Sequence, residues 1–153
     1  MKQRLALITT LLLALACPAL AQDAALIQPG DRVLGHVLDV TDGDSLVVEV
    51  RGLRLAVRLA GVNCPEWNAP GGKEATAYTA AWIERNPAVI LEAAQDCYTA
   101  TPDVWDKYGR LLAFVWRGDR MLQEDLLASG HGEVKYIKPT GEHYARLQAA
   151  LPQ

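Results

Sequence analysis

Three short segments of the sequence carry side chains of the kinds that cleave phosphate esters. They are Asp-Gly-Asp-Ser at 42–45, Arg-Leu-Ala-Gly-Val-Asn-Cys-Pro-Glu at 58–66, and Asp-Lys-Tyr-Gly-Arg at 106–110. Each has an ordinary explanation as a hairpin turn, a solvated strand arginine with a loop acid, or a charged turn. Together they supply a base to activate water, cations for a five-coordinate phosphorus, and a metal ligand. The side chains concerned are Asp44, Arg58, Glu66 and Arg110.

These segments lie where predicted strands meet loops. Val33 to Val40 is apolar and β-branched enough for a strand, and Asp42-Gly43 follows it as a turn signal. Leu46 to Val50 and Leu53 to Leu59 alternate between faces with a period of two, and Arg51-Gly52 separates them. The three strands are therefore predicted to form an antiparallel meander.

The rest of the chain adds helices and two further strands. Helical spacing of apolar residues predicts a helix over Lys73 to Arg85, then strands at Val89 to Ala94 and Leu111 to Trp116. Leu122 begins a second helix that Gly130 ends, and Glu142 to Leu151 suits a third. Five short strands with a helix after the third predict an α+β, mainly β fold: a five-stranded oligonucleotide-binding (OB) barrel with two to three added helices.

The amino terminus has the pattern of an export signal. Residues 1–21 contain a basic start, an apolar run too short to span a bilayer, and an A-x-A site that ends at Ala21. We expect a signal peptide at 1–21, a lead-in at 22–32 and one domain at 33–151, exported to a bacterial periplasm or secreted. Lipidation of Cys17, which would make a surface lipoprotein with a structural role, is the alternative.

Charge and cysteine content limit the possible partners. After residue 21 the chain carries 13 basic and 18 acidic residues, a net charge of −5, so a nucleic-acid site requires a local cluster of cations. Cys64 and Cys97 are the two cysteines left, either as free thiols or as a disulfide. In the chain-entropy model that bridge would stabilise the fold by roughly 3 to 4 kcal/mol. We expect a monomer without stable membrane association.

Four motifs in series resemble those of the staphylococcal nuclease (thermonuclease) family. They are DGDS at 42–45, RLAGVNCPE at 58–66, GKEA at 72–75 and DKYGRLLA at 106–113, in the same order and at similar spacing. The resemblance extends from about Val33 to Leu147. It implies an OB barrel that hydrolyses DNA and RNA with the help of Ca²⁺.

The resemblance also implies roles for individual residues. Glu66 matches the general base, and Arg58 and Arg110 match the two arginines that bind the phosphate and its transition state. The matching calcium ligands are the Asp44 carboxylate, the main-chain carbonyl of Cys64 and the side chain of Asn63, with Asp42 nearby. The residues that match contacts to the nucleotide are Lys107, Tyr108 and Tyr136.

Asn63 departs from the family pattern, which has a second calcium carboxylate at this position. An amide oxygen can still bind a cation, but the site loses one negative charge, and ligand charge is one determinant of Ca²⁺ affinity. We expect weaker calcium binding or a different metal preference. The acidic balance and Asn63 also leave open a second function, a barrel that binds nucleic acid or another ligand without cutting it.

Overall fold

The computed structural model describes residues 27–97 and 103–153. The predicted signal peptide and residues 22–26 of the lead-in lie outside this range. Eight strands and three helices follow one another in the described residues. The strands are β1 (Arg32–Asp42), β2 (Ser45–Val50), β3 (Leu53–Leu59), β4 (Val62–Asn63), β5 (Ala88–Ala93), β6 (Leu111–Arg117), β7 (Arg120–Met121) and β8 (Glu133–Val134). The helices are α1 (Gly72–Glu84), α2 (Leu122–Ala128) and α3 (Glu142–Ala149).

Five of the strands close into a barrel. The sheet order is β3-β2-β1-β5-β6, with antiparallel pairs throughout, and a parallel pairing of β3 with β6 joins the two ends. Val57 faces Leu111 and Leu59 faces Ala113 in that closing register. Closure leaves no long unpaired edge and brings the end of β3 beside the start of β6. The predicted mixed α+β fold with a five-stranded barrel is confirmed.

Alternation along the strands fills the barrel. Leu46, Val48 and Val50 of β2 are buried, whereas the residues between them are partly or fully exposed. In β6, by contrast, residues on both faces are buried, from Ala113 to Trp116. Both faces of β6 are covered because helices pack on its outer side, so this strand lacks the two-residue period.

The helices pack through one face each. In α1 the buried residues recur at helical spacing, Gly72, Ala75, Thr76, Thr79, Trp82 and Ile83. The Trp82 indole donates a 2.7 Å hydrogen bond to Asp125 and so ties α1 to α2. No helix in the described segments has the length and apolar character needed to cross a membrane.

Two-residue strands were missing from the predicted elements. β4 pairs with β8, Val62 opposite Val134, and β7 pairs with the end of β6. The remaining bounds differ from the predicted ones by at most two residues. The small β4–β8 sheet positions Asn63 at the cavity described below.

Candidate active site

Helix α1 fixes the turn between β1 and β2. A Cβ atom on Gly43 would lie 2.8 Å from the Cβ of Ala75, so only glycine allows the turn to pack this closely on the helix. Thr79 donates a 2.7 Å hydrogen bond to the carbonyl of Gly43, and Thr76 donates one of 3.2 Å to the Asp42 carboxylate. Asp42 therefore bonds to the helix that supports the turn.

Asp44 follows in the same turn and is almost completely buried. Its Oδ2 accepts a 2.8 Å hydrogen bond from the Cys64 amide and forms an ion pair with Arg58 at 2.9 Å. The Ser45 hydroxyl lies 3.1 Å from Oδ1. The carboxylate is thus held in one orientation at the point where β2 begins.

Arg58 is enclosed by acceptors from its own chain. One terminal nitrogen donates 2.9 Å hydrogen bonds to the carbonyls of Leu59 and Val62. The other donates to Asn63 Oδ1 at 3.2 Å and pairs with Asp44. Only 12% of the side chain is exposed. Binding of a phosphate by the two terminal nitrogens therefore requires that some of these bonds be exchanged.

Asn63 is oriented by contacts at both ends of its amide. Its oxygen accepts from Arg58, and its nitrogen donates to Glu133 Oε1 at 3.3 Å. A hydrogen bond from Lys135 lowers the pKa of Glu133, which keeps that carboxylate ionised as an acceptor. This network assigns the Asn63 oxygen to the side of Arg58 and Asp44.

The loop after β4 presents Glu66 to solvent at the cavity. Its shape depends on Gly72, because a Cβ there would lie 1.8 Å from the Glu66 carbonyl oxygen. The Ala69 amide donates a 2.8 Å hydrogen bond to the same oxygen. The backbone of Glu66 is therefore fixed against the start of α1 while its side chain stays exposed.

A second loop positions Arg110. Asp106 accepts 2.9 Å hydrogen bonds from the amides of Tyr108 and Arg110 and a 2.7 Å bond from Arg110 Nε. Burial opposes ionisation of Asp106, but these hydrogen bonds outweigh it and lower its pKa. Asp106 was read from the sequence as part of a charged turn, and its spacing of four from Arg110 was the available signal for this positioning role.

Tyr136 has a strained backbone at the opposite side of the site. Its φ is 61°, a left-handed conformation that costs non-glycine residues about 1–3 kcal/mol. The ring is 59% exposed, and Lys135 Nζ lies 5.5 Å from its centroid. Such strain is found disproportionately at ligand sites, and Tyr136 lines the cavity described next.

One open cavity of about 1000 Å³ brings the predicted residues together. Apolar residues of β2 and β3 form its floor, among them Leu46 and Val57. Of the residues predicted from the sequence, it is lined by Asp42, Asp44, Arg58, Asn63, Glu66, Lys107, Tyr108, Arg110 and Tyr136. Side chains from four separate parts of the sequence thus share one concave surface.

Of the two alternatives for Cys64 and Cys97, the structure has free thiols and no disulfide between them. Both cysteines are free and buried. Burial, with a smaller contribution from Asp44, raises the pKa of Cys64 to about 12, and burial with Asp96 raises that of Cys97 to about 12. The two thiols occupy different surroundings: Cys64 lies under Gly43, whereas the backbone of Cys97 pairs with Ile137. Both are protonated near neutral pH, so neither is a thiolate nucleophile.

The oxygen atoms around Asp44 fit a hard cation in type but provide little charge. No group of three or more His, Cys, Asp or Glu side chains in the described part of the chain is arranged as a metal site. Two of the oxygen donors expected from the sequence, the Asp44 carboxylate and the Asn63 amide, line the cavity and are of the type that suits Ca²⁺. Cys64, whose main-chain carbonyl is the third expected donor, is not among the residues that line it. Arg58 pairs with the Asp44 carboxylate and so balances its charge.

Comparison with known proteins decides the family. The protein-family model described as Staphylococcal nuclease homologue matches residues 56–152, more than half of the chain. The chain belongs to the staphylococcal nuclease family. It is 32% identical to the thermonuclease of Staphylococcus hyicus over 123 residues, covering 76% of this chain and 68% of the relative.

Two further relatives show a similar degree of identity. Identity is 34% to the thermonuclease of Staphylococcus intermedius, over 72% of this chain and 65% of the relative. It is 31% to the endonuclease YncB of Bacillus subtilis, over 67% of this chain and 48% of the relative. The segment matched by the family model includes Arg58, Glu66 and Arg110.

Proposed function

We propose that this protein is a metal-dependent nuclease that hydrolyses phosphodiester bonds of DNA or RNA in the cavity at the barrel rim. The observation that carries this proposal is the convergence of Asp44, Arg58, Glu66 and Arg110 on one cavity. Membership of a family whose relatives are named thermonuclease and endonuclease supports it.

Glu66 is the general base in this proposal. Its carboxylate is exposed at the cavity, so it can accept a proton from a water molecule beside a bound phosphate. The resulting hydroxide forms a bond to phosphorus, and the bond to the leaving oxygen breaks. The fixed backbone of Glu66 keeps the base in place during this step.

Arg110 stabilises the charge that develops on the phosphate oxygens. Asp106 binds its Nε, which directs the guanidinium without occupying all of its donors. Arg58 contributes after exchanging internal acceptors for phosphate oxygens, since its terminal nitrogens are bonded within the protein. Lys107, Tyr108 and Tyr136 line the cavity where a nucleotide would extend from that phosphate.

Ca²⁺ is the cation that the donor set suits, held by Asp44, Asn63 and the carbonyl of Cys64. When bound it would polarise the phosphate and lower the pKa of water. Because Asn63 is neutral, we propose that its calcium affinity is weak or its metal preference altered.

A second candidate is a binding barrel without catalysis. The enclosed Arg58 favours it, because its terminal nitrogens make four internal bonds and are not free for a transition state. Under this alternative Glu66 would have no chemical task. The two candidates differ in whether the Glu66 carboxylate matters for turnover.

The test is cleavage of single-stranded DNA by the purified protein, with Ca²⁺ and with a chelator, beside Glu66→Gln and Glu74→Gln. Glu74 is an equally exposed acid in the first turn of α1 and lies outside the cavity lining. Metal-dependent cleavage that falls about 10²- to 10⁴-fold only in Glu66→Gln supports the nuclease. DNA binding without cleavage under any metal would instead support the binding barrel.

The cellular location is also a proposal. Residues 1–21 have the pattern of a signal peptide, so we propose export to a periplasm or the medium, with cleavage after Ala21. Sequencing the amino terminus of the mature protein tests this, because a lipoprotein would begin at Cys17. We propose a monomer, which light scattering of the purified protein checks.

A further inference from the structure

Exposed aromatic side chains are concentrated around the proposed active site. In the described part of the chain the exposed large hydrophobic residues are Leu34, Leu38, Trp67, Tyr108 and Tyr136. The two tyrosines line the cavity, and Trp67 directly follows Glu66, which also lines it. All three aromatic members of the set are therefore at the cavity or beside it.

Each of these three rings has a cation over it. Lys73 Nζ lies 5.8 Å from the Trp67 ring centroid, Lys107 Nζ lies 5.0 Å from that of Tyr108, and Lys135 Nζ lies 5.5 Å from that of Tyr136. An aromatic ring next to a cation is how proteins bind single-stranded nucleic acid, with the base stacked and the phosphate neutralised. Trp67 with Lys73 repeats the arrangement of the two tyrosines.

Trp67 lies on a rigid part of the loop. Gly72 packs so closely that a Cβ there would lie 3.0 Å from the Trp67 Cα, and the turn from Glu66 to Ala69 is closed by a 2.8 Å hydrogen bond. Even so, 52% of Trp67 is exposed. An exposed indole on a fixed backbone offers a stacking surface at little entropic cost.

We infer that Trp67 and Lys73 form a nucleotide-binding subsite outside the cavity, on the Glu66 side of the scissile phosphate. The Trp67 indole stacks on one unpaired base, and Lys73 contacts a neighbouring phosphate. This inference rests on the proposed nuclease function and deepens it. Because stacking requires an unpaired base, the subsite selects single-stranded over duplex substrate.

The test measures the binding of a labelled single-stranded DNA 12-mer to the Glu66→Gln protein with Ca²⁺ by fluorescence anisotropy. Trp67→Ala should raise the Kd about tenfold or more, and Trp67→Phe should retain most of the affinity. Leu34→Ala, which removes a more exposed apolar side chain outside the cavity lining, should leave the Kd unchanged. Affinity for a duplex of the same sequence should not respond to Trp67→Ala.

Two further measurements assign the contacts. Single abasic positions moved along the 12-mer should identify one position at which the missing base weakens binding and Trp67→Ala has no additional effect. Lys73→Gln should reduce the slope of log K against log salt by about 0.7, the value for one phosphate contact on a single strand.

The outcomes separate this inference from the function beneath it. A Trp67→Ala Kd within about twofold of its parent, while the wild-type protein cleaves DNA, would overturn the subsite and leave the nuclease standing. Absence of both DNA binding and cleavage in the wild-type protein would overturn both.

Discussion

Two buried polar networks, one at the cavity and one under helix α3, use charge in different ways. At the cavity, Asp44 and Arg58 form an ion pair whose members also line an open surface. Under α3, His143 Nε2 lies 3.1 Å from Glu92 and Nδ1 lies 3.2 Å from Asp96. His143 is 5% exposed, so this second network is closed to ligands.

The difference lies in what surrounds each network. The ring of His143 is stacked on Phe114 at 3.8 Å, and the Asp96 carboxylate also accepts from the His143 amide. These contacts fasten α3 to the barrel. The Asp44 network instead contains oxygen atoms that now accept hydrogen bonds from Arg58. If Arg58 turned to a phosphate, these oxygen atoms would be released and could bind a cation. We therefore propose ligand binding for the first network and a stabilising role for the second.

The largest expected effect comes from breaking the closed network. His143→Ala removes the histidine partner of the buried Asp96 and one of two partners of the partly buried Glu92, which should lower the free energy of unfolding by about 3 kcal/mol. Urea unfolding monitored by circular dichroism measures it. His36→Ala, at an exposed histidine, should change the free energy by less than about 0.5 kcal/mol. A change equally small for His143→Ala would refute the fastening role.

Removing the positive charge of Arg110 from the cavity should affect the rate of cleavage rather than the stability of the fold. Arg110→Gln should reduce the rate of DNA cleavage about 10²- to 10³-fold, because a donor to the developing phosphate charge is lost. Initial rates with a single-stranded substrate measure this. Arg54→Gln, on the exposed face of β3, is the matched control and should retain full rate. Equal rates for both variants would exclude Arg110 from catalysis.

Adding charge to the open site should sharpen the comparison. Asn63→Asp supplies a second carboxylate beside Asp44, so calcium should bind about tenfold tighter. Calorimetric titration with CaCl₂ measures this directly, independently of activity. Calcium affinity unchanged by Asn63→Asp would count against the proposed ligand set.

The smallest expected effect concerns Asp106 and pH. Its folded pKa lies below the ordinary value of 3.8, so its ionised form stabilises the protein above that pH, and this contribution disappears as pH falls through the folded pKa. Asp106→Asn should therefore lose less stability than the wild-type protein below about pH 4, by at most about 1 kcal/mol. The free energy of unfolding, measured by urea unfolding between about pH 3 and pH 6, checks this. A parallel decrease with falling pH in the two proteins would contradict it.

Local sequence patterns predicted most of the barrel and the outline of the site. The helix predicted at Lys73 to Arg85 spans Gly72–Glu84, because its buried residues recur at helical spacing within one segment. The cavity residues were found because their motifs match a known family in order and spacing. The spacing of apolar residues within an element and the residue order within a motif are both local features of the sequence.

Contacts between distant segments were not predictable. β4 and β8 have two residues each, too few to show any alternation. They pair although Val62 and Val134 are far apart in the sequence. His143 has partners 47 or more residues away, and nothing around it in the sequence indicates burial. Nothing next to Arg58 in the sequence indicates that it is enclosed: the chain turns back at Gly61, and the carbonyl of Val62 accepts a hydrogen bond from its side chain.

The most direct test of the difference between the open cavity and the closed network under α3 compares Glu66→Gln with His143→Ala. The quantity measured is the initial rate of single-stranded DNA cleavage per folded molecule. We predict that Glu66→Gln loses about 10²- to 10⁴-fold in rate with unchanged stability, whereas His143→Ala keeps its rate at temperatures where it is folded. Full cleavage by Glu66→Gln would contradict the assignment of this cavity as the site of hydrolysis.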